Sequence, residues 1–121
     1  MVVILLGAGV LRWRASATTT SGWLIDQHCY PAFQKHPADH TRDCLLKCQD
    51  VTYGLVDAKG NFHPFDARGN QRALAAVKAS THATHLWVTV KAARSDSPML
   101  QVEQLQLGQP SDAALAAANA R

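Results

Sequence analysis

All three cysteines of this chain fall within twenty consecutive residues, Cys29 to Cys48, and three of its six histidines, His28, His36 and His40, stand among them. A fold for this sequence must gather its soft ligands around that one segment, and the internal spacing says how. His40, Cys44 and Cys48 follow one another at i, i+4, which on a helix puts them on one face, one turn apart. Before them, Gly22 to Tyr30 alternates Trp23 and Ile25 with Leu24 and Asp26 and stops at Pro31, the pattern of a strand. Cys29 is thereby a strand-end thiol facing one side of a short helix. Asp39 or Thr41 can cap that helix, which runs to about Gln49, with Asp43 in its first turn and Lys47 near its end.

Cys29, His40, Cys44 and Cys48 are accordingly the candidate metal ligands. Three thiolates and an imidazole suit zinc or copper(I), because thiolates favour soft and borderline ions. Helix rise separates His40 from Cys48 by more than about 10 Å, so all four reach one ion only if the helix is bent or frayed. The same residues allow a structural disulfide from Cys29 to Cys44 or Cys48, a staple that small exported domains use for stability. Pairing Cys44 with Cys48 is awkward inside a regular helix, and an odd cysteine is left over in any case. Thiol redox chemistry is the third reading, and it needs an unusually acidic thiol. His28 and His36 read as solvated residues.

The compartment is read from the N-terminus. Val2 to Leu11 is apolar and Ala15-Ser16-Ala17 has the small-x-small form that a signal peptidase cleaves, so residues 1–17 read as a signal peptide, or as an anchor if retained. The run is about half the length that a bilayer-spanning helix needs. Export to the periplasm or outside the cell is the expectation, with no stable membrane span unless the run is kept. Of the formal charge of +3, Arg12 and Arg14 supply two, and the rest of the chain has ten basic against nine acidic residues. That balance, and too few aromatic residues for both a core and a stacking platform, argue against a nucleic-acid partner.

A hydrophobic fraction of 47% against 17% charged residues supports one small core. Residues 18–21 read as a flexible lead-in. Thr52 to Asp57 and Asn61 to Phe65 flank Ala58-Lys59-Gly60 as a hairpin, with Pro64 confining the second strand to an edge. Asn70 can cap a helix from Gln71 to about Ala79, with Leu74 and Val77 inward. His85 to Ala92 alternates Leu86, Val88 and Val90 against Trp87, Thr89 and Lys91. From Met99 to Leu107 the apolar parity changes between Val102 and Leu105, which predicts a β-bulge near Glu103-Gln104. Ser111 to Arg121 is an alanine-rich tail. The expected fold is α+β and mostly β: a five-stranded OB-like barrel over residues 18–108, with a cysteine-bearing helix inserted after the first strand and a second helix between strands three and four. An open antiparallel sheet with both helices on one face is the alternative. Residues 109–121 form the flexible tail.

These residues also resemble a known group. Gly22-Trp23-Leu24-Ile25-Asp26, Cys29-Tyr30, His40 with Cys44 and Cys48, Tyr53-Gly54-Leu55-Val56-Asp57 with Lys59-Gly60, and Val88-Thr89-Val90 resemble small exported bacterial domains of uncharacterised function. That group shows D-x-x-C, a His before C-x-x-x-C, a G-L-[LV]-x-x-x-G hairpin and a final V-x-V-x-G strand. The resemblance covers about residues 22–107 and implies an exported, non-enzymatic OB-like domain with a role in metal handling. The sequence departs where Lys91-Ala92-Ala93 replaces the usual glycine.

Nucleotide-binding, nucleophile-elbow and zinc-protease motifs are all missing from the sequence, and Asp57 and Asp66 read as turn residues. A nucleophile built on Cys44 and His40 lacks an orienting group. The expected function is a non-enzymatic exported domain binding zinc or copper through its Cys/His cluster. The alternative is a structural or ligand-binding OB-like module stapled by a disulfide, without metal.

Overall fold

The structure, a computed structural model, describes residues 17–48 and 50–120; the apolar run read as a signal or anchor lies outside them. Five strands form one antiparallel sheet: β1 (Ala17–Asp26), β2 (Tyr53–Val56), β3 (Phe62–Pro64), β4 (Trp87–Ala93) and β5 (Gln101–Gly108), in the order β3-β2-β1-β4-β5. Four helices accompany them: α1 (Tyr30–Phe33), α2 (Arg42–Lys47), α3 (Ala67–Ala79) and α4 (Asp112–Asn119), with a 3-10 turn at Pro37–Asp39.

β1 is the central strand and is longer than its sequence suggests. The Thr18-Thr19-Thr20 segment, expected as a lead-in, pairs with β4 from Thr18 opposite Ala92 to Thr20 opposite Val90. β-branched threonines fit a pleated surface, and the Ser21 and Thr89 hydroxyls hydrogen-bond across the strands at 2.9 Å. Toward its C-terminal end β1 changes partners on its other side, pairing Trp23 to Asp26 with β2. Gly22 sits at that junction, where a β-carbon would run into the carbonyl of Val56.

One face of the sheet carries the core. Leu24, Leu55, Val88, Val90 and Val102 pack against Ala73 and Val77 of α3 and Leu45 of α2. Leu45, Leu55, Val77, Val88 and Val90 have no exposed surface, and each such side chain contributes about 1.5–3 kcal/mol. Trp23 and Trp87, of opposite parity, meet edge to face at 5.0 Å.

The hairpin forms as the sequence predicts, with Gly60 at φ 86° and β3 at the sheet edge. The bulge also lies where the parity shift puts it: Lys91 pairs with Gln104 and Ala92 with Val102, so Glu103 is the extra residue. α3 starts earlier than expected. Asp66 rather than Asn70 is its cap, accepting from the Gly69 amide at 2.9 Å, because the Asn70 side chain is used by the Tyr53 amide. The tail holds α4, capped by Ser111.

The sheet is open, where an OB-like barrel was expected. The two edges approach through one isolated parallel bridge, Phe65 to Leu100, with hydrogen bonds from the Leu100 amide to Pro64 O (2.7 Å) and from the Asp66 amide to Leu100 O (3.0 Å). β3, only three residues long, is too short to continue that bridge into a ladder.

Candidate metal centre

The site is assembled where β1 ends. Asp26 is the last residue of that strand, opposite Tyr53, and its Oδ1 accepts from the Cys29 amide at 2.8 Å. This bond from the residue three positions on suits the D-x-x-C spacing and returns the chain at Cys29 toward the carboxylate. Cys29 then caps α1, which Pro31 opens. The 3-10 turn ends on His40, whose backbone is extended (φ −63°, ψ 137°) and whose ring stands edge-on to Phe33 at 5.0 Å. His85, with φ 58°, donates its backbone N–H to Ala38 O at 2.9 Å and holds that turn against the sheet. A left-handed conformation at a non-glycine residue is uncommon, and here it aims this amide at the turn that carries His40.

α2 supplies the second half. The Thr41 hydroxyl accepts from the Cys44 amide at 3.0 Å, so the helix starts after His40. Leu45 is buried beneath it, and its carbonyl accepts from the Tyr53 hydroxyl at 2.6 Å. Arg42 reaches across to the end of α3, donating from Nε to Val77 O (3.0 Å) and from its guanidinium to Lys78 O (3.1 Å). These carbonyls belong to the last turn of α3, where Val77 O also accepts from the Ser80 amide at 3.2 Å.

Asp26, Cys29, His40 and Cys44 come together, each offering one ligand atom, with all four atoms within 4.8 Å of one another. Among the described residues this is the one such group. Cys29 Sγ and Cys44 Sγ are 3.5 Å apart, far beyond the ~2.05 Å of a disulfide bond, and the three cysteines are free thiols. Asp26 Oδ2 and His40 Nε2 are 3.2 Å apart with both side chains fully buried. That approach is too poorly aligned to be a hydrogen bond, and Asp26 Oδ2 and both His40 ring nitrogens have no hydrogen-bond partner.

Of the four residues expected from the sequence, three are thus brought together and Asp26 joins them. Cys48 stands outside the group, at the end of α2 with φ −103° and ψ 38°. His40 lies just before α2, which Thr41 caps, and Cys48 is the residue on which the helix ends, its N–H still bonded to Cys44 O at 3.1 Å. His28 is exposed, and His36 lies 3.8 Å from Asp39. Asp26 was visible in the sequence only through its place in D-x-x-C.

The site is acidic and polarised. Burial opposes ionisation of Asp26, but the neighbouring His40 imidazole and the Cys29 amide outweigh it and hold the carboxyl below its usual range. Burial, the Cys44 thiol and the Asp26 charge push Cys29 well above an ordinary thiol, and burial with the Asp26 charge raises Cys48. Burial, with the charges of Asp26 and Cys48, lifts Tyr53 to about 12. Asp26 and His40 form a buried floor, while Cys29 and Cys44 are half-exposed. Such an arrangement can coordinate a cation from its sulfur side. No protein-family model, no curated protein and no solved structure matches the chain.

Proposed function

We propose that this chain is an exported, non-enzymatic metal-binding domain that holds one zinc ion through Asp26, Cys29, His40 and Cys44. The observation that carries the reading is the meeting of four ligand atoms within 4.8 Å at a place where the buried Asp26 Oδ2 and His40 nitrogens lack hydrogen-bond partners. A buried polar group left unsatisfied costs about 1–3 kcal/mol, and an ion bonded to Asp26 Oδ2 and to one His40 nitrogen removes that cost for those two atoms.

Zinc fits the donor set. A tetrahedral zinc with bonds of about 2.3 Å to sulfur and about 2.0–2.2 Å to nitrogen and oxygen has S···S near about 3.8 Å and N···O near about 3.4 Å. The corresponding separations are 3.5 and 3.2 Å, so a small outward relaxation admits the ion. Four protein ligands leave no open position for substrate, which is the form of a structural rather than a catalytic zinc site. Raised thiols at Cys29 and Cys48 are the reverse of what an activated cysteine nucleophile needs.

Export rests on the apolar run Val2–Leu11 and on Ala15-Ser16-Ala17, and no helix among the described residues is long and apolar enough to cross a membrane. We read the sheet as a partly open OB-like barrel, supported by the order β3-β2-β1-β4-β5 and by the isolated parallel bridge from Phe65, just after β3, to Leu100, just before β5.

Metal analysis and a thiol count on full chain purified from the exporting compartment test this function. One zinc per chain, lost in Cys44→Ser, is the expected result. No metal and a single reactive thiol would replace it with the disulfide-stapled module.

A further inference from the structure

We infer that the sheet face turned away from the core carries a second site, a cavity of about 260 Å³ that binds a small aromatic carboxylate between Trp23, Trp87 and Lys35. The inference stands apart from the metal centre and does not depend on it.

The floor of the cavity is set by strand register. Trp23 lies opposite Val56 of β2 on one side and opposite Trp87 of β4 on the other, so the three side chains stand in one row across three strands. Their sequence neighbours Leu24, Leu55 and Val88 belong to the core cluster, and alternation turns the row to the other face. That face is covered all the same: Trp23 is 7% and Val56 1% exposed. The two indoles meet edge to face at 5.0 Å and supply a floor of aromatic carbon.

Three connections build the walls. Residues 34–38 border one side, Asp57, Ala58 and Gly60 of the hairpin border a second, and α4 closes the third with Ala113, Ala114, Ala117 and Ala118. Methyl side chains on α4 leave open the space that larger ones would fill, and α4 has no buried residue of its own.

Charge decides which aromatic molecule fits. Lys35, His36 and Asp57 are the titratable residues that line the cavity. Asp57 is already engaged, since its carboxylate accepts from the Lys59 and Asn61 amides and pairs with His63 at 2.7 Å. Lys35 is exposed and makes no ion pair among the described residues. His36 Nδ1 is buried without a hydrogen-bond partner, 3.8 Å from Asp39 Oδ2. The unanswered charge at the cavity is therefore positive, and its floor is aromatic. A flat ring bearing one carboxylate complements both. The volume, just under the about 300 Å³ at which drug-sized pockets begin, limits the ligand to a small ring system.

Two-dimensional NMR of the full chain, read at the indole N–H signals of Trp23 and Trp87, tests the site with phenylacetate, the neutral phenylacetamide and the cation phenethylamine. Phenylacetate is expected to shift both signals saturably with Kd below about 1 mM, and the other two probes to bind at least about tenfold more weakly. Lys35→Gln, at an exposed position, is expected to bring phenylacetate down to the level of phenylacetamide, and Lys35→Arg to keep the preference. Ala117→Leu, which fills the cavity, is expected to weaken phenylacetate at least about tenfold, while Ala116→Leu, outside the lining, changes it by less than about twofold. No saturable shift of either indole, equal binding of the three probes, an unchanged preference in Lys35→Gln, or equal effects of the two α4 substitutions overturns the inference. So does loss of the phenylacetate shift on adding a metal chelator, which would place the carboxylate on a metal ion instead.

Discussion

Asp26 Oδ2 and His40 Nε2 face each other at 3.2 Å with neither side chain exposed to solvent, although fourteen residues separate them in the sequence. One ends the central strand and the other follows a 3-10 turn, so their meeting ties the loop to the sheet at the point where the thiols gather. Taking away one partner leaves the other buried and uncompensated.

Asp26→Ala removes the carboxylate opposite His40 and also the acceptor of the Cys29 amide. The metal-free chain should lose about 1–3 kcal/mol, read from urea unfolding in the presence of a chelator. Zinc should no longer raise its melting temperature. A variant that unfolds at the wild-type denaturant concentration and still responds to zinc would show that Asp26 is neither a turn residue nor a ligand.

Tyr53 tests how α2 is held. Its hydroxyl donates to Leu45 O at 2.6 Å in a buried setting, and Leu45 follows Cys44 directly. Tyr53→Phe leaves that carbonyl only the Cys48 amide as donor (3.3 Å) and should cost about 0.5–1.5 kcal/mol. Zinc affinity should fall with it, since Cys44 loses its support. The paired readouts are urea unfolding and chelator competition; an unchanged affinity beside a reduced stability would mean that Cys44 is positioned by Thr41 alone.

The legible parts of the fold were those set by short-range rules. Alternation at Leu86, Val88 and Val90 marks the inward face of β4, and the parity change between Val102 and Leu105 locates the bulge at Glu103. Glycine at Gly60 sets the hairpin. The ligand geometry was less legible because helical periodicity gives a direction without giving ends. Thr41 as the cap leaves His40 outside α2, and Cys48 is the residue on which the helix ends, so the helix itself carries only Cys44 of the three. An aspartate at a strand end ordinarily faces water, whereas Asp26 is fully buried and offers an oxygen to the four-residue group. The sheet stays open at β3, an edge strand of three residues, a length that alternation alone does not set.

Acid sensitivity should arise in part at the hairpin, away from the cluster. Burial opposes ionisation of Asp57, but hydrogen bonds from His63 Nε2 (2.7 Å) and from the Asn61 and Lys59 amides outweigh it and hold the carboxyl below its usual value. A depressed folded-state value stabilises the fold fully above the unfolded carboxylate range, about pH 3.9, and the contribution disappears as pH falls through the lower folded value. Asp57→Asn should therefore be less stable than wild type at neutral pH and should approach it in acid. Melting temperatures across that range decide the matter, and a constant difference down to the acid limit would contradict it.

Zinc K-edge X-ray absorption on the reduced, zinc-loaded full chain bears most directly on the site as a whole. The proposed zinc site predicts a four-ligand shell of two sulfurs at about 2.3 Å and two nitrogen or oxygen atoms at about 2.0–2.2 Å, supplied by Cys29, Cys44, His40 and Asp26. A shell with three or more sulfurs, one with none, or zinc that is lost on gel filtration would contradict it.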